Sequence, residues 1–132
     1  MKKGPAAAGT DGSFDWETYY AVITELDEGI GRVVNAVERS GQWDNTLILF
    51  IGDNGYLCGS KGFQGKVRAW EESIRIPYIA AGGLVKRAGK SDAAVASIDI
   101  PATMLDFAGV RPSHKMFGSS IRPALEGGTF AR

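Results

Sequence analysis

Asp53 and Asn54 begin two residues beyond the longest apolar run of the chain, Leu47-Ile48-Leu49-Phe50-Ile51, and are followed by Gly55. A carboxylate beside an amide oxygen offers two hard ligands of the sort that Ca²⁺ or Mg²⁺ takes, and neither suits copper or iron. Asp-Asn-Gly is also a favoured turn sequence, because Asn and Gly accept positive φ cheaply. Its place after a buried strand speaks for a site, since ligands of open α/β sheets gather beyond the carboxyl ends of the strands. Lys66, at the end of the glycine-rich stretch that follows, can bring an ammonium group back toward the same place. A cation and a metal together would hold a tetrahedral oxyanion and offset charge growing on it. Taken alone, Lys66 reads as a solvated surface lysine.

The remaining candidates are weaker. Glu71 and Glu72 suit acid or base work, but beside Ser73 and Arg75 they more often make a local ion pair or helix-end contact. Arg68, Arg75 and Lys61 could each bind an anion. Cys58, the single cysteine, has no histidine before it to activate it, and His114 lies in a polar, irregular tail. A spare small hydrophobe is the expected role of Cys58. Gly59-Ser60-Lys61-Gly62 resembles the end of a phosphate loop only superficially, lacking the first spaced glycine and a Lys-Ser/Thr pair. Trp16, Trp43 and Trp70 are scattered singly and are expected to pack.

These residues need a frame. From a cap at Ser13 or Asp15, apolar residues recur at Tyr19, Ile23, Leu26, Ile30, Val33, Val34 and Val37, the spacing of one buried helical face that closes at Gly41. Gly29 and Gly31 lower its propensity by about 1 kcal/mol each, so packing, such as a close approach to a neighbour, must hold it. Thr46 to Ile51 predicts a strand covered on both faces as in a parallel sheet. Asp53 to Gly65 follows as a loop, Val67 to Ser73 as a short helix or turn, and Ile76 to Ala80 as a second buried strand. A polar connection leads to a short strand over Ala93 to Ile98, and then to a helix capped by Ser97 or Asp99, carrying Ile100, Met104, Leu105 and Ala108 and ending at Gly109. Residues 110–132 read as irregular. The order is that of an α/β layer structure with too few helices to cover its strands. Residues 1–14 are expected to form a flexible lead-in, and 15–132 a partial α/β domain.

Composition narrows the function further. The 132 residues balance 15 Lys plus Arg against 15 Asp plus Glu, which argues against a broad electrostatic grip on nucleic acid or anionic lipid. One cysteine builds neither a disulfide framework nor a Cys-rich zinc site. An apolar run of five residues spans no bilayer, and the small, polar beginning shows no secretory signal, so a soluble chain of undefined compartment is expected. Residues 1–66 carry six basic and nine acidic side chains and 67–132 carry nine and six, a tilt that surface scatter also produces.

Several ordered blocks together carry a more specific likeness. Asp44 through Gly55, then Gly65-Lys66, then Trp70-Glu71-Glu72-Ser73-Ile74-Arg75-Ile76-Pro77 resemble the carboxyl-side part of the catalytic domain of sulfatases, in the alkaline-phosphatase-like superfamily. The likeness continues in Tyr19 to Asp27, in Gly31-Arg32-Val33, in Ser97 to Asp106 and in Gly118-Ser119-Ser120-Ile121. It implies a partial sulfatase-like layered α/β sheet. It also implies that Asp53 and Asn54 are two ligands of a divalent cation, usually Ca²⁺, and that Lys66 contacts the sulfate of a sulfate ester substrate. In that family the nucleophile is a formylglycine made from Cys or Ser in a Cys/Ser-x-Pro/Ala-x-Arg motif, which these 132 residues do not contain. Many members also carry Gly-Glu/Asp-His-Gly where this chain has Gly59-Ser60-Lys61-Gly62.

The resemblance thus implies the second part of a sulfatase domain, with weak or no metal binding on its own and no turnover without a complementary amino-terminal polypeptide. A competing expectation is a non-catalytic α/β module that self-associates or binds a protein through its uncovered sheet face. A third is a phosphate or phosphonate ester hydrolase relative, for which a single histidine is a poor endowment.

Overall fold

The computed structural model describes residues 14–66 and 68–130. Most of the expected lead-in, and Val67 at the start of the expected short helix, lie outside the described residues. By their internal contacts the residues fall into two compact units. One joins the chain up to Gln42 with Asn54–Ile76, and the other joins Trp43–Asp53 with Pro77 onward.

The first unit is led by helix α1, Trp16–Arg39. Asp15 caps it, its carboxylate accepting from Thr18 N at 3.0 Å, which satisfies one of the orphan amides of the first turn. That bond holds the Asp15 carboxyl below its usual range. Arg39 sits in the last turn, where a cation suits the helix dipole. The expected apolar stripe is present but not buried, for no residue of α1 is buried, and Ile23, Leu26 and Val33 are 43%, 50% and 59% exposed. Amphipathic spacing states which face can pack, not that a partner is there to receive it. Among the described residues Gly29 and Gly31 meet no close neighbour beyond the Arg32 side chain, so no tight approach is seen there. Packing concentrates at the start of the helix. Phe14, only 7% exposed, meets Trp16, Tyr19 and Tyr56 at ring-centre distances of 4.8, 5.3 and 5.9 Å. The rest of this unit is the loop from Asn54 and the single-turn helix α2, Glu71–Ile74.

In the second unit, a 3₁₀ turn at Trp43–Asn45 leads into β1, Ile48–Ile51. It pairs with β2, Tyr78–Ala81, antiparallel and in the register Ile48↔Ala81 to Ile51↔Tyr78. This two-stranded ribbon replaces the parallel, doubly covered sheet expected from the apolar runs. All four residues of β1 are half-buried, and Ile79 is 56% exposed. A continuous apolar run records that a strand can be covered on both faces; it carries no information on direction.

Helix α3, Asp99–Phe107, ends before Gly109 as expected, but its burial does not follow the apolar residues. Asp99 and Thr103 are fully buried while Met104 is 59% exposed. The segment before it, expected as a strand over Ala93 to Ile98, has no strand pairing, because Ala96 N is taken by the Asp99 carboxylate at 2.9 Å. The other carboxylate oxygen accepts from Ser119 N, also at 2.9 Å. Thr103 Oγ1 donates to Asp99 O at 2.7 Å and accepts from Ile121 N at 3.1 Å. Gly118 permits this seam, since a Cβ there would stand 1.8 Å from Ile98 O. The tail expected to be irregular contains a short helix α4, Arg122–Leu125, whose last carbonyl accepts from Lys86 N at 2.8 Å.

Candidate functional site

Asp53 lies two residues beyond the carboxyl end of β1, as the sequence predicts, and its side chain is exposed. Asn54 is half-buried, and its Nδ2 donates to Gly55 O at 2.9 Å. The turn explanation of Asp-Asn-Gly does not hold here, for none of the three residues adopts positive φ. Gly55 is required for a different reason. Its N–H donates to Ser73 O at 2.8 Å, and a Cβ would meet Glu72 O at 2.1 Å and Arg75 O at 2.8 Å. The backbone just after the acid-amide pair is therefore pressed against α2, which fixes where Asn54 begins.

The loop then closes on itself. Leu57, 2% exposed, donates its N–H to Gly65 O at 2.9 Å, and Gly59 N donates to Phe63 O at 3.0 Å. The Leu57–Gly65 bond returns the residue before Lys66 to the chain three residues after Asn54, so the two ends of the loop are drawn together. Lys66 is exposed at that return. Asn54 and Lys66 belong to one compact unit and Asp53 to the other. Inside the loop Cys58 and Lys61 hold left-handed backbone, at φ 46° and 56°, an unfavourable conformation for residues with a Cβ that persists only where the surroundings enforce it.

Glu72 supplies that enforcement at Lys61. Its carboxylate makes an ion pair with the Lys61 ammonium and accepts from Ser60 Oγ at 2.7 Å. The Lys61 contact first, and the Ser60 hydroxyl second, hold the Glu72 carboxyl down to about 2. Lys61 is thus committed to Glu72 and is not an anion-binding group. Glu72 does make an ion pair, but with Lys61, 11 positions away, and not through the neighbouring Ser73 and Arg75 that the sequence pointed to.

Cys58 is half-buried, burial pushes its thiol above the ordinary range, and a hydrogen bond with Tyr19 opposes that only in part. It is the inert small side chain that the sequence predicts, since the thiolate is the reactive form. His114 is exposed, with Ser113 Oγ 3.3 Å from its Nδ1. In the sequence Asp99 reads only as a helix cap. Its structural weight comes from Ser119, 20 positions away, which no local pattern reveals. Tyr78 Oη is buried without a hydrogen-bond partner among the described residues, and burial, then the Asp99 charge, push its phenol up. A groove of about 320 Å³ bordered by Ala102, Leu105, Val110 and Met116 contains none of the candidate residues.

The donor set can be tested against a cation. Asn54 spends its amide nitrogen on Gly55 O, which makes its oxygen the ligating end, and with the Asp53 carboxylate this gives two hard donors. Among the described residues no group of three or more His, Cys, Asp or Glu could hold a metal. The pair suits a hard cation but supplies a minority of the six to eight oxygens that Ca²⁺ takes. No helix among the described residues is long and apolar enough to cross a membrane.

Comparison with known proteins bears on what this arrangement is part of. The Sulfatase family pattern matches residues 8–110. N-acetylglucosamine-6-O-sulfatase of Bacteroides thetaiotaomicron is 37% identical over 109 residues, 82% of this chain and 20% of that protein. A solved structure described as a complex with its substrate D-glucosamine-2-N,6-O-disulfate aligns at TM-score 0.75 and 36% identity, covering 83% of this chain and 22% of that one. The phosphonate monoester hydrolase of Silicibacter pomeroyi aligns at TM-score 0.76 and 32% identity, covering 82% and 21%. The chain spans about a fifth of the length of the proteins it matches.

Proposed function

The chain belongs to the sulfatase family, and from that premise we propose that it contributes one part of a sulfuric ester hydrolase site. Asp53 and Asn54 are its metal ligands, Lys66 is its sulfate contact, and the metal is a divalent cation, with Ca²⁺ the expected ion. The observation that carries this reading is the acid-amide pair two residues beyond β1, in a segment matched by the family pattern. When bound, the cation offsets negative charge on the sulfate oxygens. The Lys66 ammonium donates to a sulfate oxygen and stabilises the charge that builds there as the ester bond breaks. The Gly55 contact to α2 and the Leu57–Gly65 closure support the reading by tying the loop between Asn54 and Lys66 together.

Two ligands cannot complete the shell of such a cation, and the family's nucleophile motif is not among these residues. Activity therefore requires an amino-terminal sulfatase polypeptide bearing Cys/Ser-x-Pro/Ala-x-Arg. Calorimetry on the 132-residue chain is expected to give weak or no Ca²⁺ binding. Co-expression with such a polypeptide, assayed on an aryl sulfate, should give turnover that Lys66→Ala lowers by roughly 10²-fold or more. An assembled complex without turnover, or with turnover indifferent to Lys66, overturns the reading. A phenyl phosphonate ester belongs in the same assay, because a phosphonate monoester hydrolase shares this fold.

A second reading, expected to act through an uncovered sheet face, is favoured instead by α1. Trp16, Tyr20, Ile23, Leu26 and Val33 are each more than 40% exposed, an amount of apolar surface that suits a non-catalytic module that self-associates or binds another protein. Sedimentation showing a stable monomer counts against the self-associating form.

A further inference from the structure

Arg68 is held by aromatic rings. Its guanidinium carbon lies 3.9 Å from the centre of the Phe63 ring and 5.3 Å from that of Trp70, and the two rings are themselves 5.3 Å apart. The residue is exposed, and no carboxylate among the described residues pairs with it. Its surroundings differ from those of two other cations of the chain. Lys61 is neutralised by Glu72, and Arg122, also over a ring, is engaged by Asp106 and Glu126. A guanidinium stacked on rings has lost much of its rotamer freedom, while its planar fork of N–H donors still points outward to an anion. Ring contact leaves the charge uncompensated, so an arriving carboxylate or sulfate displaces no competing acid.

We propose that Arg68, positioned by Phe63 and Trp70, is a second anion subsite that recognises a further sulfate or carboxylate on a saccharide whose scissile sulfate is held at Lys66. The inference rests on the assignment of Lys66 made above. Two residues of chain extend at most about 7 Å, so side chains as long as Lys66 and Arg68 reach two anionic substituents of one sugar. Phe63, 39% exposed, offers a ring face to the apolar side of that sugar. The substrate class is then a saccharide carrying at least two anionic groups, and Arg68 acts as a specificity determinant outside the chemistry.

The test is equilibrium binding to the 132-residue chain by NMR titration, with D-glucosamine-6-O-sulfate and D-glucosamine-2-N,6-O-disulfate as probes. The disulfate is expected to bind about tenfold more tightly, the usual worth of a charge-assisted contact. Arg68→Ala should abolish that advantage and leave the monosulfate unchanged. Arg68→Lys, which keeps the charge without the planar fork, should retain part of it. Lys66→Ala should weaken both sugars. An Arg68→Ala chain that still prefers the disulfate, while Lys66→Ala weakens both, overturns the second subsite and leaves the Lys66 assignment standing. Shifts absent from residues 60–70 with either sugar overturn both.

Discussion

Each of the two units is ordered internally by different means. In the second, a nine-residue helix is anchored by polar side chains, Asp99 and Thr103, which have no exposure at all. In the first, a helix of 24 residues with a clear apolar stripe buries none of them, and order comes from a ring cluster at its start and from a loop stitched to Glu72. Helix length and amphipathicity therefore do not rank how firmly an element is fixed in this molecule. What ranks it is whether a buried backbone donor depends on it. Thr103 serves the buried Ile121 amide, and Asp99 serves the part-buried amides of Ala96 and Ser119; leaving such donors unserved is costly.

Asp99→Ala is the largest test of that contrast. Removing the acceptor of two part-buried amides is expected to cost about 2–3 kcal/mol, read as a lower midpoint in urea denaturation; a loss under about 1 kcal/mol would remove the contrast. Thr103→Val keeps the shape and loses two hydrogen bonds, with an expected loss of about 1–2 kcal/mol by the same measurement. Glu72 tests the first unit through pH. Its carboxyl is held down to about 2 in the folded chain against an ordinary value of 4.5. The stability it contributes is therefore complete above about 4.5 and is lost as pH falls toward about 2. Glu72→Gln should flatten the acid dependence of the Ser60 and Lys61 amide shifts in that window, and an unchanged profile would mean that the pair does not order the loop. The smallest change is expected from Leu26→Asp with Val33→Lys on the exposed face of α1. In the monomer the cost should stay within about 0.5 kcal/mol. A larger loss that depends on protein concentration would show that this face is covered by a partner.

Much of this was legible in the residues. The helix from Asp15 to Gly41, both strands and the helix ending before Gly109 follow from caps, apolar runs and breakers, all of them local signals. The family followed from ordered blocks, of which Asp44 to Gly55 is the longest. Strand direction was not legible, nor was the absence of a strand at Ala93 to Ile98, where the Asp99 carboxylate takes the Ala96 amide. At the candidate site, the position of Asp53 and Asn54 beyond β1 could be foreseen, but the reason for Gly55 could not. A glycine that avoids a clash 17 residues away with Glu72 O looks the same in sequence as one chosen for a turn. The pairing of Ser60 and Lys61 with Glu72 was hidden for the same reason.

The sequence by itself determined which residues can form helices and strands, which family the chain resembles, and which groups, Asp53, Asn54 and Lys66, have the chemistry to bind a cation and an anion. Those properties are local, set by side-chain type and spacing along the backbone. Only the tertiary structure decided which apolar faces are covered, which polar groups are buried, and which of the cations Lys61 and Arg68 is already neutralised. Each of these depends on what a residue meets across a gap in sequence, as Lys61 meets Glu72 and Arg68 meets two rings. Burial and pairing are properties of such encounters, and chain composition does not encode them one residue at a time.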